Sequence, residues 1–95
     1  MRCAAWRWIW AIQEGRVETV RELLARGASV DTADIFGRTH LYIASERGHL
    51  EVVRELLARG ASPGLAATNG STALSRATAG GHAAIAQLLR AALAP

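Results

Sequence analysis

The residues best suited to nucleophilic or metal chemistry in this chain are three histidines, one cysteine and one tyrosine. His49 and His82 lie 33 residues apart, and each directly follows a glycine. On stacked helical elements, that register places them about 10 Å apart, one interhelical spacing. Because that distance is too long for two side chains to share a metal ion, we expect both histidines to form hydrogen bonds in loops.

Other signatures of catalysis are missing from the sequence. His40 and Tyr42 lie close together, but no Ser, Cys or Asp accompanies them at a spacing that activates a nucleophile. The Gly80-Gly81 pair follows a helix rather than a strand, unlike a phosphate-binding loop. The chain has no zinc-binding Cys/His set and no carboxylate pair suited to acid–base work. The sequence therefore predicts no enzyme, cofactor, metal site or small-molecule substrate.

The composition is that of one small globular domain spanning residues 1–95, with 51% hydrophobic and 20% charged residues. The 11 basic residues are all arginine, and the formal net charge is only +3. This charge is spread as +1 over residues 1–33, zero over 34–67 and +2 over 68–95. Because no basic stripe emerges, we expect no nucleic-acid partner.

Targeting signals are also missing from the residues at hand. No apolar run approaches the roughly 20 residues of a membrane-spanning helix, so no membrane role is expected. Arg7 interrupts the apolar stretch near Met1, which argues against a signal peptide. A lone cysteine, Cys3, fits a reducing compartment. We expect a cytoplasmic or nuclear location.

Glycines recur along the chain with a period of 33 residues. Segment 15–29 returns as 48–62 with most positions identical, and 81–90 is a third, partial copy. The recurring glycines are Gly15, Gly48 and Gly81, then Gly27 and Gly60, then Gly37 and Gly70. We divide the chain into repeat units of about 4–33, 34–66 and 67–95.

Each unit reads as two short helices. In the middle unit Thr39 is a suitable N-cap for a helix to about Arg47, which Gly48 then ends. A second helix is predicted from about Leu50 to Arg59. Its apolar stripe is predicted to consist of Val53, Leu56 and Leu57. The loop that follows, 61–70, is rich in Gly, Pro and Asn and is predicted to turn.

This unit resembles the ankyrin repeat. Residues 34–44 match the family's Asp-x-x-Gly-x-Thr-Pro-Leu-His-x-Ala, with His40 in place of Pro and Tyr42 in place of His. Residues 48–53 match its Gly-His-Leu-Glu-Val-Val. The resemblance implies an all-α solenoid of about three helix–turn–helix units with short β-turn loops. Since the family's His ties neighbouring loops together, its replacement implies weaker ties here.

The resemblance also implies where a partner binds, because ankyrin partners contact the β-turn tips and the exposed face of each first helix. The corresponding residues are Ile35, Phe36, Arg38, Glu46 and Arg47 in the middle unit, Thr68, Asn69, Ser71 and Ala79 in the third, and Gln13 and Glu14 in the first. An exposed Ile-Phe pair at a turn tip suggests a covered surface. Phe36 could equally fold back on the neighbouring turn.

A cluster of Trp6, Trp8 and Trp10 near the start has three interpretations. The indoles could seal the N-terminal end of the solenoid, or lie on a membrane surface. They could also form a partner hot spot, and on that basis Trp6 joins the candidate binding residues.

The function these observations favour is a protein–protein interaction module that binds another protein. Two alternatives remain open. Short stretches at 15–18 and 88–92 resemble ankyrin-type inhibitors of cyclin-dependent kinases, which suggests a regulatory inhibitor subunit. The chain could instead be a structural subunit of a larger assembly.

Overall fold

The computed structural model describes residues 10–27, 30–31 and 33–93, and over these residues the chain is helical. Helix α1 includes residues 10–14. The remaining helices are α2 (Val17–Ala25), α3 (His40–Arg47), α4 (Leu50–Ala58), α5 (Ala73–Ala79) and α6 (Ala83–Leu93). In place of strands, the described residues contain two isolated β-bridges, Ala33 with Thr39 and Ala66 with Thr72. The predicted all-α class is confirmed.

The helices stack in two rows. Within a unit, α3 packs against α4 and α5 against α6. Between units, α3 packs against α5, while α4 lies between α2 and α6. Each β-bridge closes the turn that leads into α3 or α5, so these turns sit beside the first row of helices.

Local sequence signals set the helix ends. Thr39 has extended backbone angles, and its side chain accepts a hydrogen bond from Tyr42 N at 3.1 Å, as an N-cap does. Gly48 ends α3 in the left-handed conformation, at φ 79°. Thr72 and Ser75 form a reciprocal capping box at the start of α5. The predicted cap and stop of α3 are confirmed, and α4 ends at Ala58, one residue earlier than expected.

The core lies between the two rows. Val20 and its counterparts one and two periods later, Val53 and Ala86, are all buried. In α4 Val52, Val53 and Leu56 are fully buried, and Leu57 is partly buried and packs against the same core, so the predicted stripe omitted Val52. The reason is that α4 has a neighbouring helix on each side and must bury a broader face than a helix with one neighbour.

A repeated histidine contact ties each unit to the one before it. The Nε2 atom of His49 lies 2.7 Å from the carbonyl oxygen of Gln13, and Nε2 of His82 lies 3.3 Å from that of Glu46. The two histidines are one period apart, and so are the two carbonyl groups that they contact. The expected hydrogen-bonding role of both histidines is confirmed. The His82 ring lies so close to Gly48 that a Cβ atom on this glycine would be 2.6 Å from Cε1 of the ring.

An ion pair and neighbouring loops add further inter-unit contacts. Arg21 Nε on α2 donates to Glu55 Oε1 on α4 at 3.0 Å, and the hydrogen bond from Arg21 lowers the pKa of Glu55. Asp31 accepts hydrogen bonds from both the backbone N and the hydroxyl of Ser62, each at 2.9 Å. Neighbouring units are thus joined along the second row and through their loops.

Gly48 and Gly60 offer a matched test of the histidine contact. Both have positive φ, but no atom lies within 4 Å of a Cβ placed on Gly60. We expect Gly60→Ala to lower the free energy of unfolding by about 1 kcal/mol, the cost of a left-handed alanine. Gly48→Ala should cost about 1–3 kcal/mol more, because the His82 ring must also move. Urea denaturation followed by helical circular dichroism measures both; equal losses would contradict the proposed contact.

His40 occupies the first position of α3, and its side chain is only 7% exposed. Burial lowers its pKa from 6.5 to about 4, although the charge of Asp34 acts in the opposite direction. Between these two values the unfolded chain binds a proton that the folded chain does not. The contribution of His40 to stability is therefore complete above about pH 6.5 and is lost as the pH falls towards 4.

This predicts acid sensitivity that a single substitution removes. Between pH 7 and pH 4, we expect protonation of His40 to lower the free energy of unfolding by on the order of 2–3 kcal/mol. In His40→Pro that component should vanish. Proline suits the first helical position, and Thr39 already has the extended backbone that a following proline requires. Urea titrations across this pH range compare the slopes, and identical slopes would assign the acid sensitivity to other groups.

Candidate functional site

A groove of about 460 Å³ opens between two successive turns, residues 34–38 and 67–71, and the helices that follow them, α3 and α5. We call it the inter-turn groove. It has one wall from each turn and a floor from the two helices. Its lining residues are Phe36, Arg38, Tyr42, Glu46, Ala67, Thr68, Asn69 and Arg76.

The first turn is organised by one carboxylate. Oδ1 of Asp34 accepts hydrogen bonds from the backbone N atoms of Phe36 and Arg38, each at 2.9 Å. Oδ2 of Asp34 lies 2.8 Å from both Nε and Nη2 of Arg38. Burial raises the pKa of Asp34, but the hydrogen bonds from Arg38 and Phe36 outweigh it and hold this pKa below its usual value. The carboxylate therefore stays ionised, and the Arg38 guanidinium is fixed in place.

Phe36 is held between two neighbours yet remains half exposed. The Arg38 guanidinium carbon lies 5.1 Å from the centre of its ring, within the range of a cation–π contact. Its carbonyl oxygen accepts a hydrogen bond from Thr68 N at 2.9 Å, which joins the two turns. The side chain is still 53% exposed. Phe36 thus contacts the neighbouring turn through its backbone while its ring stays exposed.

The second turn is built differently at matching positions. Ala67 stands one period after Asp34, so the third unit has no carboxylate there. Its turn is closed instead by Asn69, whose Oδ1 accepts a hydrogen bond from Ser71 N at 2.9 Å. Ser71 itself replaces Arg38 in this register. Of these positions in the second turn, Ala67 and Asn69 line the groove and Ser71 does not.

The floor of the groove carries an ion pair between units. Arg76 Nη2 on α5 lies 3.2 Å from Glu46 Oε2 on α3. The Nε atom of Arg76 is buried without a hydrogen-bond acceptor among the described residues. Tyr42, only 5% exposed, completes the floor between the ion pair and the first turn. The groove therefore has one guanidinium group in its first turn and a second, paired with a carboxylate, on its floor.

The structure brings five of the residues named from sequence to the groove: Phe36, Arg38, Glu46, Thr68 and Asn69. The others lie elsewhere. Ile35 is 86% exposed at the tip of the first turn, and Arg47 is exposed at the end of α3. Ser71 is partly buried and serves the second turn through its backbone.

The tryptophan cluster falls largely outside this part of the molecule. Trp6 and Trp8 lie outside the described residues. Trp10 is 39% exposed, and the guanidinium carbon of Arg16 lies 5.2 Å from its ring centre. None of the groove's lining residues comes from this end of the chain.

Sequence reasoning missed three lining residues, Tyr42, Ala67 and Arg76. The family motif marks Tyr42 as a replacement for His but gives no sign that it lines a surface. Arg76 could have been identified by comparing the repeats, because it is the one charged residue among the three at equivalent positions, Trp10, Ile43 and Arg76. Ala67 could not be recognised, since a small residue signals a groove only when its neighbours are placed in space.

The groups that line the groove are suited to recognition by hydrogen bonding, stacking and apolar contact. Within the described residues no three His, Cys, Asp or Glu side chains cluster so as to hold a metal ion. The guanidinium groups can donate hydrogen bonds and stack, and the Phe36 ring can bury apolar surface. In the same part of the chain, no helix combines the length and apolar character needed to cross a membrane.

Comparison with known proteins shows to which family this architecture belongs. Residues 8–93 match the family model for ankyrin repeats, in three copies. A search of curated proteins gave no significant match. The matched region covers all six helices described above and both turns of the groove. The chain belongs to the ankyrin-repeat family, whose repeats generally serve as protein–protein interaction modules.

Proposed function

We propose that this chain binds a partner protein through the inter-turn groove and the tip of the turn beside it, residues 35–36. The observation that carries this proposal is the arrangement of Phe36. Its ring is half exposed, a guanidinium lies against it, and a groove of about 460 Å³ opens beside it. An aromatic residue and an arginine next to a concave surface are the typical components of an interaction hot spot.

Hydrogen bonds within the chain hold both turns of the groove. Immobilising a long side chain on binding costs about 0.5–1.5 kcal/mol, and Arg38 has met much of that cost through its bonds to Asp34. The backbone hydrogen bond from Thr68 to Phe36 likewise fixes the spacing of the two turns. A partner would therefore meet a surface whose shape changes little on association.

The charges support a protein partner over a nucleic acid. A protein that binds a phosphate backbone neutralises several phosphates with Lys or Arg side chains. The groove offers two guanidinium groups, and each already faces a carboxylate. The proposal involves no bond-forming chemistry. The inhibitor and assembly-subunit alternatives have no specific contact in their favour, so partner binding is the function we adopt.

Phe36→Ala tests the proposal, with Leu65→Ala as the matched control. Leu65 is also a large exposed apolar residue, 43% exposed, but it does not line the groove. We expect Phe36→Ala to weaken binding of the captured partner about tenfold or more, because it removes the central apolar contact. Leu65→Ala should bind as the unmodified chain does. Affinity capture with mass spectrometry identifies the partner, and titration calorimetry then measures its Kd.

Two outcomes would count against the proposal. Equal affinity for Phe36→Ala and the unmodified chain would place the binding surface elsewhere. Loss of the helical circular dichroism signal in Phe36→Ala would make Phe36 a structural residue. As a separate readout, a benzoylphenylalanine photocrosslinker at Asn69 should capture the partner, and the same group at exposed Ala58 on α4 should not.

A further inference from the structure

We propose that the segment of the partner seated in the inter-turn groove carries a carboxylate side chain next to an apolar one. The carboxylate would lie between Arg38 and Arg76, and the apolar side chain would pack on Phe36. This inference rests on the proposed function and adds the chemistry of the partner. It identifies an acidic–apolar peptide segment as the occupant.

The argument begins with the hydrogen-bonding groups still open in the groove. Arg38 uses Nε and Nη2 to bind Asp34, and Arg76 uses Nη2 to bind Glu46. The Nη1 group of each arginine has no hydrogen-bond partner among the residues that the structure describes. Both arginines line the same groove, and a carboxylate with two oxygens can accept a hydrogen bond from each of them.

The carboxylates of this region are, in contrast, already engaged. Asp34 is bound by two backbone N–H groups and by Arg38, and Glu46 is bound by Arg76. Arg47, next to Glu46, is exposed and forms no ion pair with the described part of the chain. The surface thus presents open cationic donors without a matching open anion, so its complement is negatively charged.

The balance of charge favours a carboxylate over a phosphate. The two guanidinium groups face two carboxylates, Asp34 and Glu46, so the one net positive charge of this region is that of Arg47. A side-chain carboxylate carries one negative charge, whereas a phosphoryl group carries about 1.5 to 2. Arginine clusters that bind phosphoryl groups direct their open donors at the anion, but here each guanidinium has already committed donors to a carboxylate.

The apolar half of the occupant follows from the first turn. The half-exposed Phe36 ring forms one wall, and Ala67 supplies the small apolar surface opposite it. Ile35 extends the apolar area beyond the rim at the turn tip. A volume of about 460 Å³ lies in the range of ligand-sized pockets and has room for two neighbouring side chains of a peptide.

A displayed library of random 12-residue peptides tests the inference and does not require the partner to be identified first. Selection on the immobilised full chain should enrich peptides with Asp or Glu beside an aromatic or aliphatic residue. The enriched peptide, its carboxylate-to-amide version and a phosphoserine version are then compared by fluorescence anisotropy. We expect the amide version to bind about tenfold more weakly, and the phosphoserine version to bind no better than the carboxylate.

Variants of the chain supply the second arm. Arg38→Gln/Arg76→Gln should weaken the enriched peptide about tenfold. Arg26→Gln/Arg54→Gln removes the same charge from exposed arginines of the second row and should leave binding unchanged. Because Arg38 also supports its turn, Arg76→Gln alone is included. It should weaken binding about threefold with the helical circular dichroism signal intact.

The outcomes separate this inference from the proposed function. Peptides that lose binding on Phe36→Ala but contain no acidic residue would overturn the inference and leave the proposed function standing. A phosphoserine peptide that binds tightest would also overturn it. Failure to enrich any peptide, or binding that is indifferent to Phe36→Ala, would remove support from both. An equal loss of affinity in the Arg26→Gln/Arg54→Gln control would also overturn the inference, because the effect would then come from the overall charge of the chain.

Discussion

The contact on which the rest of the structure depends is the fit of a histidine ring against the glycine backbone of the preceding unit. His49 and His82 each reach back to a carbonyl oxygen in the unit before, at equivalent positions one period apart. The approach is close enough that Gly48 has no room for a side chain. In a repeat solenoid each unit contacts only its neighbours, so stability rests on these interfaces. They also fix how far apart successive turns lie, and hence the width of any groove between them.

The second row of helices shows that equivalent positions of the repeats can form different kinds of contact. Arg21 on α2 pairs with Glu55 on α4, and the corresponding pair one period later would join Arg54 to position 88. That position is Leu88, which packs partly buried against the core. The last interface therefore replaces an ion pair with apolar contact. Since exposed ion pairs contribute about 0–1 kcal/mol, the exchange costs little stability and leaves the helix stacking unchanged.

The sequence was sufficient to predict the repeat and the ends of its helices, because these depend on residues that are close together in the chain. The 33-residue period, the cap at Thr39 and the stop at Gly48 each follow from the residues themselves, and so does the family. The hydrogen-bonding role of His49 and His82 could also be predicted, since both follow a glycine at the same position of the repeat. The candidate site could be predicted only in part. Phe36 and Arg38 could be named from an exposed turn tip, but the role of Asp34 in holding them depends on bonds from three different atoms to one carboxylate.

The lining of the groove includes positions at which the repeats differ, and a prediction made from the shared repeat pattern does not show such differences. Where the second unit has Asp34 and Arg38, the third has Ala67 and Ser71. The first turn therefore carries a fixed guanidinium stacked on an aromatic ring, while the second is closed by the smaller Asn69–Ser71 bond. Ala67 lines the groove, whereas Ser71 does not. The regular period thus sets the spacing of the turns, and the residues that differ between them give the groove two unlike walls, Phe36 and Arg38 in the first turn and Ala67 and Asn69 in the second.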